Sequence, residues 1–164
     1  MPSSAATRAL GLAASLGGIG TTAGAGAIVI GRGNDWYRRL DKPRWAIPGV
    51  AFAPAWSLIA SAQAIGAWLA WRADDERDSL DVPAVSSYAA QLWLSLAWTL
   101  LFFGLKRPAY ALVEISALWL AIVLTIREYA RRHRFAAAWF LPSLAGVAYV
   151  AALNTAIWRR SRRD

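Results

Sequence analysis

The stretch VPAVSSYAAQLWLSLAWTLLFFGL, residues 82–105, holds no charged side chain. A helix rising about 1.5 Å per residue needs roughly 20 residues to cross the hydrocarbon of a bilayer, so this run is long enough to span one. Lys106 and Arg107 close it on one side, and the acidic segment RADDERDSLD, residues 72–81, closes it on the other. The same pattern recurs along the chain. Runs with at most one charge cover 9–31, 47–71, 109–126 and 135–158, each stopped by arginine. Backbone polar groups in lipid must find partners within their own segment, so all five runs read as helices. The expected fold is all-α: a polytopic membrane protein, a bundle of five transmembrane helices, in a single domain over residues 1–164.

Composition supports this. The 164-residue chain is 57% hydrophobic and only 17% charged, below the roughly 25% charged content of soluble domains. A soluble domain of this length has no interior for so much apolar side chain, and lipid removes the problem. The net charge of +8 does not point to nucleic acid, because Lys and Arg punctuate apolar runs and form no face. There is no cysteine, which excludes disulfides and thiolate metal sites. The first run follows Arg8 and is rich in small residues, as a signal peptide is. Its length and the similar segments after it favour a retained span.

Orientation follows from the distribution of Lys and Arg. Eleven of the 18 lie in loop one (32–46), the Lys106-Arg107-Pro108 turn and the C-terminus, and seven lie on the opposite side. The richer side is expected in the cytoplasm, with the N-terminus outside. No organelle-targeting segment is evident, and the arginine-rich ends suit a bacterial inner membrane. Gly20 and Gly24, and Ala148, Ala152 and Ala156, form small-residue stripes that allow close helix approach, within one bundle or between two copies.

Ten tryptophans are a large excess. Trp68, Trp71, Trp139 and Trp158 fall near span ends, where interfacial indoles are common. Trp56, Trp93, Trp98 and Trp119 lie deeper and are expected to face the bundle, since a buried indole N–H wants a partner. In the third run Tyr88, Gln91, Ser95, Trp98 and Phe102 follow a three-four spacing that places them on one helical face. An aromatic and polar stripe suits a pocket for a flat ligand, and it equally suits interhelical packing held by Gln91 and Ser95. Trp56, Ala60, Gln63 and Ala67 form a comparable face in the second run.

Glu114 is the one acid within a run. An intramembrane carboxylate is a functional candidate by default. Snorkelling toward Lys106 and Arg107, or pairing with one of them, is the simpler expectation, and a proton relay the sharper one. His133 is the sole histidine and cannot supply two axial haem ligands. No nucleophile–base arrangement, phosphate-binding glycine loop or metal cluster is visible, so no catalytic or metal-ligating residues are assigned, and the reading leans away from an enzyme.

Loop one and the start of the second run read WYRRLDKPRWAIPGVAFAPAWSLI from residue 36. This resembles the WYxxLxKPxW signature of the TspO/MBR family, with Trp36, Tyr37, Leu40, Lys42, Pro43 and Trp45 in place. Pro48, Phe52, Pro54 and Trp56 continue the likeness. So do Tyr88, Gln91, Leu92, Trp98, Phe102 and Phe103 in the third run, the ALVE of the fourth, and Pro142 with Leu153-Asn154 in the fifth. The resemblance implies five helices, usually as a homodimer, with a pocket closed by loop one. It implies binding of porphyrins such as protoporphyrin IX and haem, or of sterol-like molecules, without a required cofactor. Transport, sensing and light-dependent porphyrin breakdown are all associated with the family; a membrane scaffold or regulator is a further alternative.

The family pattern places Tyr37, Trp45, Phe52, Trp56, Ala60, Gln91, Ser95, Trp98, Phe102, Gly146 and Val150 at the ligand. Four of these depart from it. Ala60, Ser95 and Gly146 stand where the family has Tyr, Asn and Trp, and Val150 where it has a smaller residue. The expected pocket is therefore larger or differently shaped. The leading expectation is a membrane receptor or transporter for a tetrapyrrole-like ligand, with loop-one Arg and Lys meeting its propionates.

Overall fold

A computed structural model of the protein describes residue 20 and residues 24–74 and 82–162. Among them the regular structure is helical: α1 (24–39), α2 (Gly49–Asp74), α3 (Val82–Thr99), α4 (Pro108–Arg132), α5 (Arg134–Ala138) and α6 (Leu141–Arg160). The first half of the expected first span, apart from residue 20, and the acidic segment 75–81 lie outside the described residues. Three segments are long and apolar enough to cross a membrane by length and composition: Gly49–Ala70, Pro108–Arg131 and Arg134–Arg160.

The helices outrun the charge-free stretches. α1 continues to residue 39, through Arg32, Arg38 and Arg39, where the sequence suggested a loop from Arg32. α4 likewise continues through Arg127 and Arg131 to Arg132. Arginine has a long aliphatic stem that carries its charge out to water, so it ends a hydrophobic run without ending a helix. The last span is broken instead. Pro142 has no N–H and its ring crowds the preceding turn, so the chain turns at Trp139 and Phe140 before α6 begins.

α3 ends in a π-helical turn, Leu100–Gly104, marked by the 2.7 Å bond from the Leu105 N–H to the Leu100 carbonyl. This turn buries Phe102 and Phe103 together. The chain then leaves through Lys106, whose φ of 56° is left-handed, and the Arg107 N–H closes back on the Leu101 carbonyl at 3.0 Å.

The core stripe of α4 is Ala111, Ile115, Leu118, Ile122, Thr125 and Tyr129, all buried at alternating four- and three-residue spacing. Thr125 satisfies its hydroxyl on the Ala121 carbonyl at 2.9 Å. The other side of the helix stays apolar: Val113 is 75% exposed and Leu120 54%. An apolar face of this extent, left open by the protein's own packing, is covered by lipid.

The helices form a ring. α2 packs on α5 and α6, α6 on α4, and α4 on α3. α1 closes the ring, with Tyr37 edge-on to Phe52 of α2 at 5.6 Å and Gly33 pressed against Phe103. A Cβ on Gly33 would lie 2.7 Å from the Phe103 carbonyl oxygen. α4 and α6 are joined by Asn154. In the orientation that satisfies both halves of its amide, it donates to the Pro108 carbonyl at 3.2 Å and accepts from the Leu112 N–H at 3.3 Å. At the end of the bundle away from loop one, Phe140 is fully buried between Tyr88 and Tyr129, at 5.7 and 4.8 Å.

Two readings of the sequence need correction. Glu114 does not pair with Lys106 or Arg107. Both of its carboxylate oxygens are buried without a hydrogen-bond partner, while Lys106 and Arg107 are exposed. Arg107 instead lies over the Tyr110 ring, 5.9 Å from its centre. The deep tryptophans also divide: Trp98 is buried and Trp56 half-buried, but Trp93 and Trp119 are 68% and 42% exposed and face the surroundings of the bundle. Of the small residues, Gly20, Gly24, Ala148 and Ala152 are exposed and point away from the bundle's own interior.

Candidate functional site

The centre of the ring at the loop-one end is an aromatic cluster built from three helices. α1 supplies Trp36 and Tyr37, α2 supplies Phe52 and Trp56, and α3 with its π turn supplies Trp98, Phe102 and Phe103. The indole of Trp98 stacks on Phe102 with centroids 5.0 Å apart. Trp56 and Trp98 meet from α2 and α3 with centroids 6.4 Å apart and planes 26° from parallel. Phe52 stands edge-on to Phe103 at 5.6 Å, and Trp36 to Phe102 at 5.5 Å.

Two polar groups on one face of α3 are buried without partners. The Gln91 side chain is 1% exposed, and neither its amide nitrogen nor its oxygen has a hydrogen-bond partner. The Trp98 N–H, two turns along the same face of α3, is likewise buried and unpartnered. Leaving a buried donor or acceptor unmet costs about 1–3 kcal/mol, so such groups in a native interior call for an explanation. Ser95 lies between them but its hydroxyl is spent on the Gln91 backbone carbonyl, at 2.9 Å.

The structure thus brings together most of the residues that the sequence singled out. Tyr37, Phe52, Gln91, Trp98, Phe102 and Val150 are buried, and Trp56, Ala60, Ser95 and Gly146 are half-buried. Trp45 stands apart: it is 49% exposed and packs edge-on against Tyr149 of α6 at 5.6 Å. The space expected from Gly146 is not empty. A Cβ there would lie 2.7 Å from Ile59 Cδ1, so an α2 isoleucine occupies the room that a helix-α6 tryptophan would take.

Loop one is tightly held. The Lys42 ammonium donates to the carbonyls of Tyr37, Leu40 and Arg38 at 2.6, 3.1 and 3.2 Å, and so caps the last turn of α1. Partial burial lowers its pKa below the ordinary lysine value, and neighbouring Asp41 acts in the opposite direction. The Tyr37 hydroxyl donates to the Ile47 carbonyl at 3.0 Å. Beside this loop, between the end of α1 and the start of α2, lies a cavity of about 410 Å³ lined by Asn34, Tyr37, Arg38, Lys42, Pro48, Gly49 and Val50. Arg38, Arg39 and Arg44 are exposed here.

The sequence did not single out Tyr149, Arg160 or Ile59, and it placed Trp36 and Phe103 in the family pattern but not at the ligand. Trp36 and Phe103 flank chosen positions, and their chemistry was a usable signal. The partners of Tyr149 and Arg160 lie more than a hundred residues away, and no local pattern announces them.

A ring of apolar helices long enough to cross a membrane, around an aromatic cluster with unmet polar groups and covered by a braced loop, defines an integral membrane protein. The TspO/MBR family model matches residues 9–159, and the chain belongs to that family. It is 34% identical to the translocator protein of Sus scrofa over 131 residues, covering 80% of this chain and 78% of that one. It is 37% identical to the tryptophan-rich protein TspO of Archaeoglobus fulgidus, over 75% of this chain and 78% of that one. With the tryptophan-rich sensory protein of Cereibacter sphaeroides it shares 30% identity, over 85% of this chain and 84% of that one.

Proposed function

We infer that this protein is a membrane receptor or transporter-like protein that binds a flat, hydrophobic ligand of the porphyrin class, protoporphyrin IX or haem, inside the helix ring beneath loop one. The observation that carries the reading is the pair of unmet polar groups, the Gln91 amide and the Trp98 N–H, in an aromatic interior. A carboxamide offers a donor and an acceptor together, and a flat ring with polar substituents uses both. The Trp56–Trp98 separation of 6.4 Å is near the far end of the roughly 4.5–7 Å range of interacting rings. A small movement of either indole admits a planar ring between them. Lys42 is committed to α1, so the propionates fall to Arg38, Arg39 and Arg44, with Asp35 as a nearby opposing charge.

The names of the relatives, translocator and sensory protein, agree with a ligand-responsive role. The concentration of Lys and Arg at the loop-one end favours a cytoplasmic side for that end, in keeping with a bacterial inner membrane. The outward-facing Ala148 and Ala152 suit a homodimer.

Titration of protoporphyrin IX against the purified protein, followed by tryptophan quenching, tests the reading. Saturable quenching at micromolar ligand is expected, weakened at least tenfold in Trp98→Ala. Absence of quenching removes both the receptor and a light-dependent degrading enzyme. Binding without a light-dependent product removes the enzyme alone.

A further inference from the structure

Loop one is fastened to α6 at two points, Tyr149 and Arg160. Midway along α6 the Tyr149 hydroxyl accepts from the Ile47 N–H at 2.9 Å and donates to the Trp45 carbonyl at 3.1 Å. The Tyr149 ring also bears the edge of the Trp45 indole. Three turns further on, the Arg160 guanidinium reaches the Asp41 carboxylate at 2.9 Å and the Lys42 carbonyl at 3.2 Å. Both halves of the loop, 41–42 and 45–47, are held by one helix.

We propose that Tyr149 and Arg160 are positioning residues, a two-point clamp that sets how readily loop one lifts from α6 and so how fast ligand passes beneath it. The proposal rests on the reading that ligand binds inside the ring. The chemistry of the two points suits a releasable fastening. A single hydroxyl spans the Trp45–Ile47 backbone by donating and accepting at once, so one rotation of the tyrosine frees two backbone groups. Of the two bonds, that to the Trp45 carbonyl is exposed and that from the Ile47 N–H part-buried. The Arg160–Asp41 pair is 42% and 65% exposed, so its strength falls with salt. Among the described residues, the loop's remaining hydrogen bonds do not reach α6. Lys42 and the Tyr37 hydroxyl join it to α1, and the Ala46 N–H to Pro43 carbonyl bond at 3.0 Å is a turn within it. Releasing the clamp therefore leaves the loop hinged on α1. α6 also carries Val150, which is buried in the core beside Tyr149, so the helix that fastens the lid also lines the interior.

Hydrogen exchange of the Ile47 amide, read in the full ligand-free chain in detergent or nanodiscs, tests the clamp directly. Tyr149→Phe keeps the ring and removes the hydroxyl. Exchange at Ile47 is expected to rise about tenfold, the loss of roughly one hydrogen bond's net strength, while α6 core amides and thermal unfolding stay near wild type. Arg160→Gln should raise it less, added salt should mimic that change in the wild type but not in Arg160→Gln, and the reciprocal pair Asp41→Arg with Arg160→Asp should restore protection. Stopped-flow mixing with protoporphyrin IX should then show association and dissociation both faster in Tyr149→Phe, with affinity little changed. Unaltered Ile47 exchange overturns the clamp. Faster exchange with unchanged ligand rates overturns its control of passage. If the wild-type chain binds no porphyrin, the proposed function fails, and the clamp is judged on the exchange data alone.

Discussion

The Lys42 ammonium sits 2.6 Å from the Tyr37 carbonyl and 4.8 Å from the centre of the Tyr37 ring, so one side chain caps α1 and covers a residue of the aromatic cluster. Three backbone carbonyls share this ammonium. Charge-assisted bonds contribute about 1.5–3 kcal/mol when buried and less when exposed. Lys42→Met keeps the stem and loses the charge, and should lower unfolding stability by about 1 kcal/mol. Lys42→Arg should not rescue it, because a planar guanidinium cannot turn three donors toward three converging carbonyls. Thermal unfolding of both variants in detergent checks this, and full rescue by arginine would refute the geometric argument.

Lys106 occupies a left-handed position after the π turn, the place where helices commonly carry glycine. A side chain there costs roughly 1–2 kcal/mol relative to glycine. Lys106→Gly should therefore raise stability by about 1 kcal/mol, offset in part by the greater freedom of the unfolded chain. Lys106→Ala keeps the Cβ and should show no such gain. Equal melting temperatures for the Gly and Ala variants would show that the backbone geometry carries no strain.

Gly66 marks the closest approach of α2 to the α5 end of the last span. A Cβ would meet the Ala136 carbonyl oxygen at 2.8 Å, Trp139 Cβ at 2.9 Å and Phe140 Cε2 at 2.9 Å. Alanine in a helix gains about 1 kcal/mol over glycine, while overpacking costs about 1–3 kcal/mol. A backbone carbonyl among the neighbours cannot swing aside, so the overlap wins and Gly66→Ala should be destabilising. A more stable variant would mean that α2 and α5 can part at no cost.

The Ile59–Gly146 contact predicts a coupled pair. Gly146→Leu should cost about 1–3 kcal/mol by overpacking against Ile59. In an Ile59→Ala background the same change should cost at least about 1 kcal/mol less, a coupling within the usual range for touching residues. Four unfolding measurements complete the cycle, and strict additivity would show that the two side chains do not share the space.

Which of these features the sequence foretold follows a physical pattern. The helical segments within the described residues were legible, because the absence of charge from a span-length run is a demand of the lipid and needs no knowledge of partners. The face of α3 was legible too, since Gln91, Ser95, Trp98 and Phe102 share a face by helical spacing alone. The extension of α1 to residue 39 was hidden, because arginine ends hydropathy without ending hydrogen bonding. The filling of the Gly146 space by Ile59 and the fastening of loop one by Tyr149 were hidden for another reason. Each depends on a partner from a different helix, and residue identity at one position carries no record of what packs against it.

Gln91 offers the sharpest separation of function from stability. Its amide is buried with donor and acceptor both unmet, a debt of about 1–3 kcal/mol per group. Leucine has a similar volume and no polar atoms. If the amide is held in readiness for a ligand, Gln91→Leu should unfold at a higher temperature, with stability raised by at least about 1 kcal/mol, while protoporphyrin affinity falls about tenfold, the value of a single lost hydrogen bond in a dry site. Affinity and stability then move in opposite directions, which a packing role does not produce. A residue that only joins helices would lose stability on replacement by leucine and leave affinity unchanged, or reduce it only in step with unfolding. Measuring quenching and melting on the same sample distinguishes the two, and lowered stability with unchanged affinity would remove Gln91 from the ligand site.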